Sequence, residues 1–194
     1  MDDKARDQVA KYLHDMHSLI SHGHQAIKRQ RDQLKDSGHA DAIRAVSGFE
    51  STMDRHLEML KTRLEAMGES VASPVQDAAS AVAGVVAGVY NAVRDEEASK
   101  SIRDDYTFFS HAGMGYLMLH TTTMALGDDA TASVAEQGYR DMAKMAMQID
   151  QIVPGLVVAE MRQNGFTPAD VSQRCAQLVH DAWQGQTQGM TGSR

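Results

Sequence analysis

Apolar residues recur at steps of three and four along most of this chain, and no run alternates convincingly with period two. That rhythm predicts an all-α protein. A first helix from about Lys4 to Leu34 carries the stripe Val9, Tyr12, Leu13, Met16, Leu19, Ile20 and Ile27. "KDSGHAD" ends it at Gly38, and Gly23 marks a bend. A second helix, about Ala40 to Met67, places Phe49, Met53, His56, Leu60, Leu64 and Met67 on one face and stops at Gly68. A third runs from about Lys100 to Leu126 and ends at Gly127. A fourth runs from about Ala130 to Gln163, with Pro154-Gly155 expected to kink or break it. Thr167-Pro168-Ala169-Asp170 reads as the start of a fifth helix, with an apolar face of Val171, Cys175, Leu178, Ala182 and Trp183.

Two stretches stand out by their lack of charge. Ala78 to Val93, "AASAVAGVVAGVYNAV", follows a Ser73-Pro74 helix start and contains Gly84 and Gly88 in a GxxxG pattern. It is shorter than the ~20 residues a bilayer span needs, so it is expected to lie close against a neighbour, with Gly84 and Gly88 at an interface. Tyr106 to Leu126 also lacks Asp, Glu, Lys and Arg, yet keeps His111 and His120. Four long amphipathic helices with a long second connection make a four-helix bundle with a helical crossover between helices 2 and 3, the arrangement of ferritin-like folds. The expected division is a bundle over residues 1–165, a C-terminal helix over 166–184 packed on it, and a disordered tail over 185–194.

Composition narrows the function. A net charge of -7 argues against a nucleic-acid protein, and the local "KRQRDQLK" is interrupted by acid. Cys175 is the one cysteine, which excludes an internal disulfide and a CxxC metal knuckle. It is expected to be buried rather than reactive. The charged start "MDDKARDQ" shows no signal peptide, so a cytoplasmic protein without a membrane span is expected.

The stretches "YLHDMHSLISH", "RHLEMLKTRLEAMGES", "EEASKSIRDDYTFFSHAGMGYLMLHTTTMALGD" and "IDQIVPGLVVAEM" resemble ferritin-like proteins of the YciE/YciF type, over most of residues 10–165. The resemblance implies a four-helix bundle, a dimer or larger assembly, and a role in bacterial stress physiology. A di-iron site in such a bundle needs a Glu from each of two helices and a Glu-x-x-His from each of the other two, because two close cations need several anionic oxygens. The resemblance places the first-helix carboxylate at Ile20 and the third-helix carboxylates at Phe109 and Ala112. The second helix offers Met53 and His56, with Glu50 and Glu58 off the stripe. The fourth offers Asp141 and Met142, with Met145 one turn on. One histidine and one flanking acid do not hold two irons, so ferroxidase or di-iron oxidase activity is not expected.

Three readings of the remaining polar core stay open. His56 and His120 (the latter on a stripe with Phe109, Gly113, Tyr116, Leu117 and Met124) are expected to point inward. There they would be neutral core histidines bonded to a hydroxyl of Tyr116, Tyr106 or Thr123. Alternatively they join Met53, Met124, Met142 and Met145 around copper, or around a non-covalent haem iron. Third, Gly113, Gly115 and Ala112 open an apolar pocket. The metal candidates are therefore His56, His120, Asp141 and Met142. His14, His17 and His24 lie along one side of the first helix and form a surface zinc candidate without a completing carboxylate. His22 and His39 are expected to be exposed. The leading expectation is a non-catalytic bundle acting by self-association or protein association, with the di-iron site lost. The alternative is a metal- or haem-binding redox or storage protein.

Overall fold

The computed structural model describes residues 1–71 and 98–190, with side chains as far as Trp183. The expectations for Ser73-Pro74, for Ala78 to Val93 and for Gly84 and Gly88 lie outside these residues. Helix α1 spans Asp3–Leu34, α2 Ala40–Ala66, α3 Ala98–Leu126, α4 Asp129–Gln163 and α5 Ser172–Met190. The described residues are helical apart from turns and short links.

Local chemistry sets the helix ends. The Asp2 carboxylate accepts from the Ala5 N–H at 2.8 Å, satisfying one of the free donors of α1. Gly38 and Gly127 adopt φ of 77° and 73°, which a residue with a Cβ takes only under strain, and so turn α1 into α2 and α3 into α4. Asp128 caps α4 through the Thr131 N–H and hydroxyl at 3.0 and 2.6 Å. Arg63 of α2 donates to both of its carboxylate oxygens, at 2.9 Å each.

Side-chain pairings fix the topology. Met16 faces Gly115, Phe108 covers Gly23, and Gln30 donates to Ser101, so α1 and α3 run antiparallel. Arg63 meets Asp128 while His56 meets Asp141, so α2 and α4 are antiparallel as well. Across the diagonal, Phe49 meets Phe109 and His56 meets Tyr116, so α2 and α3 run in the same direction. Arg6 near the start of α1 donates to the Met67 carbonyl after α2, whereas α3 begins beside Gln30 near the end of α1. Helix α2 therefore ends and α3 begins at opposite ends of a four-helix bundle, as in bundles with one long crossover connection.

The core runs the length of the bundle through Leu13, Ile20, Ile27, Phe49, Met53, Leu60, Leu64, Ile102, Phe109, Tyr116, Leu119 and Met142, all essentially without solvent contact. Each large apolar side chain so buried contributes about 1.5–3 kcal/mol. Two helical glycines allow the close approach. A Cβ on Gly23 would overlap the Phe108 ring, and one on Gly138 would overlap the Tyr116 ring. Gly23 is thus a contact point inside an unbroken α1 rather than the bend expected of it.

Other sequence expectations need correction. Helix α4 continues through Pro154 to Gln163 without a break. Leu156, Val158 and Glu160 beyond the proline are buried, and Glu160 accepts from the Ser99 N–H at 2.8 Å, so tertiary contacts hold the last turns in place of the missing ladder bond. Helix α5 starts at Ser172, not near Thr167, because the Asp170 carboxylate accepts from the Ser172 N–H at 3.1 Å. Its backbone is helical as far as Met190. Its expected apolar face is largely open: Leu178 and Trp183 are exposed, Val171 is at the margin, and Cys175 is half-buried rather than buried. Trp183 of this helix lies beside the Asp150 carboxyl of α4.

Gly138→Ala is expected to lower stability by about 1–3 kcal/mol, because overpacking against Tyr116 outweighs the helix-propensity gain of about 0.5–1 kcal/mol. Gly48→Ala, with open space around its Cβ position, is expected to raise stability by that propensity gain alone. Urea unfolding midpoints of the two variants should move in opposite directions.

Candidate functional site

At mid-bundle, three helices each supply one polar side chain. His56 comes from the inward stripe of α2, Tyr116 from α3 and Asp141 from α4. His56 Nδ1 lies 2.8 Å from the Tyr116 hydroxyl, and Nε2 lies 3.0 Å from Asp141 Oδ2. His56 and Tyr116 have almost no solvent contact, whereas the Asp141 side chain reaches the rim. There Arg55 approaches it at 2.7 Å and Gln137 donates to it at 2.9 Å.

The charges assign the protons. Burial on its own would raise the Asp141 carboxyl, but hydrogen bonds from Gln137 and His56, with the Arg55 charge, hold it below the usual carboxylate range. An ionised Asp141 only accepts, so His56 Nε2 carries the hydrogen. Nδ1 is then an acceptor, and the Tyr116 hydroxyl donates to it. Burial pushes the Tyr116 phenol well above its ordinary value, which keeps that proton in place. Burial is also the largest influence on His56 and lowers its pKa, with Asp141 opposing in part. The imidazole is therefore neutral, with both nitrogens engaged.

Around this polar link stand Ile20, Met53, Phe109, Ala112 and Met142, every one fully buried. They fill the positions that the resemblance implied for carboxylates, together with the second-helix M-x-x-H and the residue after Asp141. The structure does bring Met53, Met142 and His56 into one core, as the sequence pattern suggested. For a metal to bind there, His56 would have to give up Tyr116 or Asp141. Among the described residues no three His, Cys, Asp or Glu side chains gather as a metal would need.

His120 does not join the centre. It sits half-buried at the α3–α4 seam, with Nδ1 2.9 Å from the Ala132 carbonyl. Met124 and Leu117, assigned to the same inward stripe, are exposed. The true inward face follows Ile102, Asp105, Phe109, Ala112, Tyr116, Leu119 and Thr123, so the expected stripe is rotated toward α4. His111 is exposed. His14 and His24 turn to different carboxylates, Glu69 at 3.5 Å and Asp54 at 2.8 Å, rather than to a shared ion. Burial and neighbouring His14 lower the pKa of His17. His39, expected at the surface, is buried at the junction before α2, where Ser37 Oγ accepts from its N–H at 3.2 Å. His22 is partly covered, with Nδ1 2.8 Å from the Ser18 carbonyl.

The expected apolar pocket at Gly113 and Gly115 is occupied by neighbours. Met142 lies 3.5 Å from a Cβ position on Gly113, and the Met16 sulfur 2.7 Å from one on Gly115. An apolar groove instead opens between α2 and α4, lined in part by Met59, Ala66, Ala130 and Val134. Sequence patterns missed the partners that complete the site. Gln137, four residues before Asp141, was a detectable helical pair, whereas nothing local pointed Arg55 at α4.

No family model matches the chain, and no curated protein matches it. A crystal structure of a protein from Xanthomonas campestris pv. campestris matches with a TM-score of 0.68 at 14% identity, covering 84% of this chain and 99% of that one. At that identity the likeness establishes a shared fold. No helix among the described residues is long and apolar enough to cross a membrane.

A buried neutral histidine makes acid destabilising. The unfolded chain binds a proton on His56 below its ordinary pKa of 6.5, whereas the folded chain resists it. Stability is therefore expected to fall as pH drops through about 6.5 toward the lower folded value. Denaturant unfolding at pH 7 and pH 5 should show this loss, reduced in His56→Gln. An NMR titration placing the His56 pKa at or above 6.5 would contradict the assignment.

Proposed function

We propose that this protein is a non-catalytic bundle of the ferritin-like type that works by pairing with a second copy of itself. The observation that carries this reading is the outer face of α3. Met114, Met118 and Met124 are each at least half exposed there and Leu117 joins them, on a stretch without a single charge. Isolated exposed apolar residues are ordinary, but several on one uncharged helix face mark a contact surface.

The choice of a second copy follows from charge. A chain of net charge -7 repels its copies over most of its surface. The α3 face brings no charge to a two-fold contact, which buries the same patch from both partners. Methionine suits such a contact because its flexible thioether fills irregular gaps. The occupied centre supports the non-catalytic part of the proposal. Ile20, Phe109 and Ala112 offer no ligand atoms, and His56 and Asp141 are engaged with each other. A redox or storage role built on a core copper, iron or haem has less support, since Met124 lies outside the core and His120 at its edge.

Sedimentation velocity should show a concentration-dependent dimer. Met114→Glu with Met118→Glu should shift it to monomer with the helical content and unfolding midpoint largely kept. A wild-type chain that stays monomeric at tens of micromolar would sink this reading.

A further inference from the structure

The same outer face of α3 carries a second kind of chemistry. His111, Met114 and Met118 are three and four residues apart, so they project from one narrow sector of the helix. All three are exposed, with Met114 and Met118 at 56% and 50%. Neighbouring pairs on such a helix have Cβ atoms about 5–6 Å apart, and the set spans about 10 Å along the axis. Met114 lies between the other two, so an ion held above it is within reach of an imidazole nitrogen from one side and a thioether from the other. Thr107, Thr121, Thr122 and Ala125 share this side of the helix, and no Asp, Glu, Lys or Arg occurs between Tyr106 and Leu126.

We propose that His111, Met114 and Met118 form a surface site for a soft monovalent metal ion, Cu(I) by preference. Two thioethers and one imidazole are the donor set that discriminates for Cu(I) and against hard cations, which favour carboxylate oxygens absent from this stretch. Neutral ligands leave the ion's single positive charge uncompensated locally, and the acidic chain as a whole favours its approach. The site differs from a core copper centre in needing no rearrangement. His56 is locked between Tyr116 and Asp141, whereas these three side chains stand in solvent.

The site shares Met114 and Met118 with the self-association surface, so a bound ion and a second copy compete for that face, but the ligand set itself needs one chain alone. Met→Leu keeps the apolar face at nearly constant volume and removes only the sulfur. Ag(I), a redox-stable mimic, and Cu(I) with a competing chelator without oxygen would be titrated into the full chain by calorimetry. One equivalent per chain is expected to bind, with affinity falling about tenfold or more in Met114→Leu with Met118→Leu and in His111→Gln. Sedimentation of His111→Gln, a side chain outside the set assigned to self-association, should leave the dimer intact. Methyl NMR of labelled methionine should show Met114 and Met118 shifting with the first equivalent, while exposed Met147 and Met161 remain in place. Equal shifts at all exposed methionines, or unchanged affinity in the variants, would overturn the site even if the dimer forms.

Discussion

The bundle depends on a hydrogen-bonded link that crosses it, from the Tyr116 hydroxyl through His56 to Asp141. Buried polar groups without partners cost about 1–3 kcal/mol each, so this link tolerates little displacement of α2, α3 or α4. Sliding α2 by a turn would move His56 about 5.4 Å and strand both Tyr116 and Asp141, and sliding α3 or α4 would strand one side of His56. An apolar core has no such penalty and accepts several registers. The polar link thus favours the one register of α2, α3 and α4 that keeps all three groups paired. Arg55 and Gln137 complete it at the rim, where Asp141 keeps its charge without carrying it inside.

Glycine supplies the space for that link. The Tyr116 ring lies where a side chain at 138 would be, and Phe108 does the same at Gly23. An aromatic ring seated on a glycine brings two helix backbones together at one level, so each pair also fixes a register. Gly23 sets α1 against α3, and Gly138 sets α4 against α3. Arg63 then ties α2 to the α3–α4 turn through Asp128. Burial alone would raise that carboxyl, yet bonds from Thr131 and Arg63 hold it below its usual range. These contacts position all four helices around the same centre.

Much of this was legible in the sequence, and the reason is periodicity. The four bundle helices were placed with ends within a residue or two, because Gly38, Gly68 and Gly127 punctuate an unbroken three-four rhythm. The pairing of His56 with Tyr116 was also within reach, since a buried imidazole requires a hydroxyl or carbonyl and few were available. The face of α3 was harder to read. Its outward residues, Met114, Leu117, Met118 and Met124, are as apolar as its inward ones, so hydrophobicity does not separate the two sides. Position on that helix is decided where its own Phe108 and Tyr116 rings seat on Gly23 of α1 and Gly138 of α4, which lie on other helices. The same weakness misplaced His120, while Arg55 went unassigned because its partner Asp141 is distant in sequence.

That indifferent hydrophobicity is itself informative about function. A helix that needs only one buried face places charge on the other. Helix α1 does so with Lys28, Arg29 and Asp32, and α2 with Asp54 and Glu58. Helix α3 beyond Asp105 does not follow that pattern. It exposes thioethers, threonines and one imidazole where its neighbours expose ions. Water is a poor partner for those thioethers, and no helix among the described residues covers them. A surface of this composition gains free energy from whatever removes it from water, and a second identical surface does so without bringing a charge to bury. The imidazole and two of the thioethers also retain lone pairs that packing alone does not use. Both properties arise from one constraint, a helix whose inner side is held by rings seated on glycines and whose outer side is left uncharged.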